Sequence, residues 1–399
     1  MNRPVIESLS SKISEELSVI HSEPTLDSEY NMQLVKFKPT ETSTDKDITE
    51  NQSLQEKLVS WTLENNITHK ALSNLLKIIK PHVIEDNLPR DARTLMQTLR
   101  TTNVKKVFPG EYYHFGLQCG IIHFLKQHPL FCTSNSTISV MINVDGLPIA
   151  KSSNSQVWPI LGSIYEYNHV FIIGIYFDKE HKPASSNEFL HDFVQESKYM
   201  TENGFEFNGH KYRFHIKGIS ADAPAKSFML CIKSHGGYSS CTKCTTEGTY
   251  IERRVCFPSE TIVLRTDLDF DNYKDEDYHM GKTALTEIPG LRLVTEVPLD
   301  YQHLICLGVT KKLISLWLCD SLKVRLSSSK VKTISNSIDN NITPFVPLEF
   351  QRKPRSFNMW KQWKATELRQ FLLYYGPIVL YSVVSEEVYI HFLILHVAI

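Results

Sequence analysis

An α/β fold built on a mixed sheet is what this sequence predicts, on three observations. Three short apolar runs, 139–145, 157–165 and 169–177, follow one another across brief polar links, the pattern of antiparallel neighbours. A helix-spaced stretch over 187–201 comes next, with Phe189, Leu190, Phe193 and Tyr199 on its apolar side. A fourth alternating run, 212–220, then leads into a segment with Pro224 where a helix would open.

Strand, strand, strand, helix, strand, helix is the element order of a ribonuclease-H-like domain. In that order the first strand lies beside the end of the fourth. Asp145, at the end of S-V-M-I-N-V, and Asp222, in S-A-D-A-P-A, are therefore expected to meet. Taken alone, Asp145-Gly146 is also an ordinary hairpin signal.

At 399 residues there is room for two or three domains. The 42% hydrophobic content is that of a globular protein. A net charge of −1 excludes a global basic field, so contact with nucleic acid would need local patches. Eight cysteines and no apolar leader point to a reducing compartment with free or metal-bound thiols. There the N-x-S/T sequons at Asn51, Asn66, Asn135 and Asn341 are chance matches. The apolar region 371–399 is broken by Gly376-Pro377 and by Ser385-Glu386-Glu387, so buried helices and no membrane span are expected.

In chain order, residues 1–52 are rich in Ser, Thr, Glu, Asp and Lys and are expected to be a disordered arm. Residues 53–130 form a helical region. SLQEKLVSWTLENN and KALSNLLKIIKPH give two short amphipathic helices, with Thr68 placed to cap the second. A helix-turn-helix and a helical hairpin packed on the main domain both fit. Lys70, Lys77, Lys80, Arg90, Arg93 and Arg100 make the region locally basic, as phosphate contact requires. A further amphipathic helix is predicted over 111–128. Residues 131–257 hold the first part of the core, with a fifth strand near 252–257. Residues 258–355 form a mostly helical insertion carrying the zinc motif, with the acidic loop DLDFDNYKDED in solvent and the apolar helix HLICLGVTKKLISLWL. Residues 356–399 supply the C-terminal helices of the core. They stop at ILHVAI without a polar finish, as a fragment would.

Two carboxylates at adjacent strand ends can bind Mg²⁺ or Mn²⁺ jointly, because hard cations prefer oxygen and leave sites for phosphate and water. A third acid would complete a two-metal centre for in-line displacement. Glu367, in KQWKATELRQFLLYY, is the candidate; Glu386 and Glu387 compete, and Glu367 on an exposed helix face is the plain alternative. The basic positions of 352–355 and 361–364, interleaved with Trp360 and Trp363, suit a DNA-facing surface or an ordinary amphipathic helix equally.

Cys241 and Cys244, in C-T-K-C, have the spacing of half a zinc site. His303, in D-Y-Q-H behind Asp300, is the third candidate ligand, and His235, His279 and Cys306 are rivals for the fourth. A structural Zn²⁺ pinning the inserted segment is one reading. Two reduced cysteines in a loop, with Asp300 as a helix cap, is the other.

VDGLPIAKSSNSQVWPIL, ISADAPAKSFMLCIKSHGGYSSCTKCT, PLDYQHLICLGV and RKPRSFNMWKQWKATELRQFLLYYGP together resemble transposase-like proteins of animal genomes related to CACTA-type (En/Spm) elements. The resemblance runs from about Leu54 to the last residue. It implies a DDE-type DNA transposase or its decayed descendant, nuclear, acting on transposon ends, with an interrupted ribonuclease-H-like core and room for a homo-oligomer. Asp145 and Asp222 would be the first two catalytic acids and Glu367 the third, binding the metal together. A catalytically inactive DNA- or protein-binding module on the same scaffold is the alternative it leaves open.

Overall fold

A computed structural model describes residues 53–83, 88–98, 104–129, 131, 136–150, 153–258 and 261–399. The expected arm over 1–52 lies outside them. The chain divides between Asn103 and Val104 into two compact units.

The first unit holds helices α1 (Leu54–Glu64), α2 (His69–Ile79) and the short α3 (Ala92–Leu95). Ser53 and Glu56 form a reciprocal capping box on α1. Thr68 Oγ1 accepts from the Ala71 amide at 3.2 Å, the cap expected for α2. Leu58, Leu72, Leu76, Leu88, Ala92 and Leu95 pack into one small core.

The second unit is built on a mixed sheet. Its strands are β1 (Lys105–Val107), β2 (Gly110–His114), β3 (Thr137–Val144), β4 (Leu147–Pro148), β5 (Gln156–Ile164), β6 (Val170–Asp178), β7 (Phe205–Phe207) and β8 (His210–Ser220). They run in the order β1-β2-β6-β5-β3-β8-β7, with β4 beside β5. Every pairing is antiparallel except β3 with β8, which is parallel. Between β6 and β8 the chain crosses over through helix α5 (Ser186–Asn203), which together with α4 (Leu117–Gln127) covers one face of the sheet. Their apolar sides, Ile121 and Phe124 on α4 and Phe189 and Phe193 on α5, meet Ile138, Val140, Ile142 and Ile160 from the strands. Each such side chain, buried completely, contributes about 1.5–3 kcal/mol. Val157, Leu161 and Ile175 form a smaller cluster of their own, so β5 is buried along almost its whole length.

Three sequence expectations are corrected here. Only the second part of 111–128 is helical; its start is β2, because Tyr112 and Tyr113 suit a pleated strand and Gly116, at φ +98°, separates strand from helix. Residues 105–114 therefore belong to the sheet unit. The segment near 252–257 is not a strand of the main sheet: β10 (Arg254–Cys256) pairs with β9 (Thr249–Ile251) in a separate hairpin. The outer edge of β8 is held instead by β7 at one end and, at the other, by Glu296, whose carbonyl accepts from the Ile219 amide at 2.8 Å. The acidic loop is not merely solvated either. It opens with α7 (Asp267–Asp271), and Asp267 accepts from Val294 N at 2.7 Å, Thr295 N at 3.0 Å and Thr295 Oγ1 at 2.5 Å.

Beyond the sheet, α6 (Ala223–Leu230) follows β8. A π-helical run, Tyr301–Thr310, continues into α8 (Lys311–Cys319), followed by α9 (Ser328–Ser337), α10 (Ala365–Gln370), α11 (Gly376–Leu380) and α12 (Glu386–Ala398). These helices share a second core around Ile314, Trp317, Phe357, Trp363, Phe371 and Phe392. Residues 301–342 and 357–395 thus contribute to one shared core, and no helix of the described residues is long and apolar enough to cross a membrane.

Candidate active site

The last register pair of the two parallel strands, Asn143 with Ser220, decides where the site lies. Asp145 and Asp222 each stand two residues beyond that pair, at neighbouring strand ends. Asn143 Nδ2 reaches across to the Ser220 carbonyl at 3.3 Å and ties the two ends together. Asp145 Oδ1 accepts from the Gly146 amide at 2.7 Å, which folds the chain away from the strand. Asp222 is the N-cap of α6 and accepts from the Ala225 amide at 2.7 Å, with Pro224 in the first turn. Both carboxylates are half-buried.

A third acid arrives from an unexpected place. Asp300 caps the π-helical run, accepting from the His303 amide at 3.0 Å, and its Oδ2 lies 2.6 Å from His303 Nδ1. The segment before Asp300 is tied to the end of β8, where the Ile219 amide donates to the Glu296 carbonyl at 2.8 Å, and to α6, where Lys226 donates to the Pro298 carbonyl. The hydrogen bond to Asp300 raises the pKa of His303 above the ordinary value; burial opposes this, and the charges of Asp300, Asp145 and Asp222 add to it. Burial alone would push Asp300 up, but its bonds from His303 win and hold it below the usual carboxylate range.

The segment leading to Asp300 is held by two lysines. Lys226, one turn into α6 and 4% exposed, donates to the Pro298 carbonyl, and Lys243 donates to the carbonyls of Val294 and Val297. Burial brings the Lys226 ammonium down to about 8, helped by Lys243 and resisted by Asp300 and Asp222. The charge of Lys226 thus acts on both Asp222 and Asp300 and offsets their mutual repulsion.

No protein-family model matches the chain, and no curated protein does. The chemistry of the site therefore rests on its own geometry.

Glu367 does lie on a helix, α10, but it is committed elsewhere. It is 1% exposed and accepts from Arg355 Nε at 2.7 Å, Arg355 Nη2 at 2.6 Å and the Lys364 amide at 2.8 Å. In this structure it is an ion-pair partner and a cap. Glu386 and Glu387 open α12. The proposed stacking surface is changed too: Trp363 is buried in the second core and Arg355 is taken by Glu367, while Lys361 stands 6.0 Å from the half-buried Trp360 ring.

The expected zinc ligands Cys241, Cys244 and His303 are not brought together. The Cys244 amide donates to Cys241 Sγ at 3.4 Å, a tight turn, but the turn is flanked by the guanidinium of Arg265. Arg265 donates to the Cys244 carbonyl and to Asp275 Oδ2 and lies 3.7 Å over the Tyr278 ring. His279 packs against Phe270, Tyr273 and Tyr278. Among the described residues no group of three His, Cys, Asp or Glu side chains is gathered to hold a metal ion.

Sequence reasoning had placed His303 in a metal site and Asp300 as its alternative, a cap. The missed signal was their spacing: a cap and the third helical residue turn their side chains toward each other, as in a capping box. Lys226 carried no signal, since an exposed helix lysine looks the same in sequence.

Proposed function

We propose that this chain is a metal-dependent DNA strand-cleaving and strand-transferring protein of the DDE transposase type, or a descendant of one, on a ribonuclease-H-like core. The observation that carries it is the parallel register of Asn143 with Ser220, which sets two carboxylates abreast at strand ends. The strand order β6-β5-β3-β8 in the middle of the sheet, the third, second, first and fourth core strands, supports the same reading.

Asp145 and Asp222 are chemically suited to Mg²⁺ or Mn²⁺, two hard oxygen donors held on rigid elements. Bound there, such an ion would supply charge stabilisation for an in-line displacement at phosphorus. The chain's own share is positional. The strand ends orient the two carboxylates, the Asn143 bond stops them from parting, and Lys226 reduces their repulsion with Asp300. Water first and a 3′-hydroxyl second would be the nucleophiles, and transposon ends in the nucleus the substrate.

Purified full-length protein with Mn²⁺ or Mg²⁺ and supercoiled plasmid tests this: nicking is expected, and it should vanish in Asp145→Asn and Asp222→Asn while DNA binding persists. Binding without nicking under either metal would overturn the enzymatic reading. It would favour the second one, an inactive nuclear DNA- or protein-binding module, which the commitment of Glu367 to Arg355 supports. A structural Zn²⁺ at Cys241 and Cys244 would then need ligands other than His303.

A further inference from the structure

We propose that the outer face of β8 is a track for single-stranded DNA, whose backbone it leads toward Asp145 and Asp222. The inference deepens the strand-cleavage reading, on which it rests for the choice of DNA over other polyanions. Helices α4 and α5 take one face of the sheet, and Tyr212, Phe214 and Ile216 of β8 turn into the core beneath them. The residues between and beside these, Lys211, Arg213, His215 and Lys217, are all exposed on the opposite face. Two residues of strand advance about 6.6 Å, so the four basic side chains form a row about 20 Å long. A chain whose net charge is −1 thus concentrates two lysines, an arginine and an imidazole on one face of one strand.

The surroundings of the row suit a nucleotide chain. Leu147 and Ile149 pack on Val157, Leu161 and Ile175 and close over β5 and β6, so the apolar part of this face stops before β3. Beside β8, β3 sets Thr137 opposite Arg213 and Ser139 opposite His215, and such hydroxyls can donate to phosphate oxygens. One acid, Glu206, stands opposite Lys211 at the far end of the row. At the near end Lys217 Nζ lies 5.2 Å from the centroid of the Tyr165 ring, a residue 41% exposed. A line of cations with an aromatic ring beside it holds single strands without regard to sequence: the charges follow the phosphates and a base stacks on the ring. A row of about 20 Å also spans about six base-pair steps, more than half a helical turn. One strand of a duplex winds off such a row, whereas an extended single strand follows it.

The row also has a direction. β8 runs parallel to β3 from Lys211 to the last register pair, Asn143 with Ser220, and two residues later delivers Asp222 beside Asp145. Asp222 follows Lys217 by five residues, at most about 16 Å of extended chain. A strand lying along the row therefore carries its next phosphates to the two carboxylates.

The test uses the full chain, metal-free, with a fluorescent oligo(dT) and a duplex of equal length. In anisotropy titrations Lys211→Gln/Arg213→Gln/Lys217→Gln should weaken oligo(dT) binding about a hundredfold near 0.1 M salt, and lower the slope of log K against log salt by about 2. Tyr165→Leu should weaken it about fivefold or more with the slope unchanged. These side chains are exposed, so thermal midpoints should stay at the wild-type value. Should the triple variant melt lower, Arg213→Gln alone reads the same effect as a slope change of about 0.7. Wild-type affinity and slope in the triple variant, or a loss that falls on the duplex and spares oligo(dT), overturns the track. An oligo(rU) held tenfold more tightly than oligo(dT) also overturns it and assigns the row to RNA. If oligo(dT) binds through the row but plasmid is nicked under neither Mg²⁺ nor Mn²⁺, the track stands and the cleavage reading falls. If plasmid is nicked and the triple variant binds oligo(dT) as the wild type does, the reverse holds.

Discussion

Both oxygens of Glu367 lie against Arg355, Oε1 2.7 Å from Nε and Oε2 2.6 Å from Nη2, with the carboxylate 1% exposed. Breaking such a pair leaves a buried charge uncompensated. Arg355→Ala should therefore cost about 3 kcal/mol, the low end for a buried pair because the guanidinium still touches water. Glu367→Leu combined with Arg355→Met should recover much of the loss. Urea unfolding of the singles and the double, without metal, reads this directly; a negligible effect of Arg355→Ala would return Glu367 to the pool of available acids.

Asp222 has two separable duties. As a cap it can be replaced by Asn, which caps equally well, whereas Ala should cost about 1 kcal/mol. As a carboxylate it has no neutral substitute. Asp222→Asn is expected to match the wild type in thermal midpoint yet lose metal-dependent nicking, and Asp222→Ala to lose both.

Lys226 should give the protein an alkaline stability slope. Its folded pKa of about 8 lies below the ordinary 10.5, so between those values the unfolded chain binds more protons and stability rises with pH. The expected gain is on the order of 3 kcal/mol, and it disappears in Lys226→Met. Unfolding at pH 7.5 and 10 checks the sign, which a solvent-exposed lysine would not produce.

The Asp300–His303 pair should act at both ends of the neutral range. His303 is raised, so its contribution is full below about 6.5 and is lost as pH climbs through its folded pKa. Asp300 is lowered, so its contribution is present above its unfolded pKa and is lost as pH falls through the folded one. Stability against pH in His303→Gln should be flatter on both sides than in the wild type.

A divalent ion that binds the folded chain alone must stabilise it by mass action, about 2.7 kcal/mol at a hundred times Kd. Titrating Mg²⁺ or Mn²⁺ should raise the thermal midpoint of the wild type and leave an Asp145→Asn/Asp222→Asn double variant unmoved. Equal shifts in both proteins would place the ion elsewhere.

The core strands were legible because their signal is local. Residues 139–145, 157–165 and 169–177 are runs of β-branched and apolar residues between polar links, and each is a strand within a few residues. The caps Ser53 and Thr68 were readable for the same reason, since a cap and its helix are neighbours in the chain. The stretch 111–128 was misread because apolar residues at mixed spacing fit a helix face, and only pairing with β6 settles that Tyr112 and Tyr113 are extended.

The sequence by itself determined the mixed α/β elements and the two acids that end strands, because strand period, turn residues and capping chemistry act within a few residues. Which acids share a site was decided by tertiary structure. Glu367 has the sequence context of a catalytic acid, yet an arginine twelve residues earlier neutralises it. Asp300 looks like a cap, yet lysines at 226 and 243 and the free edge of β8 carry it to the strand ends. Charge compensation and edge pairing join residues dozens of positions apart, and no local pattern encodes them.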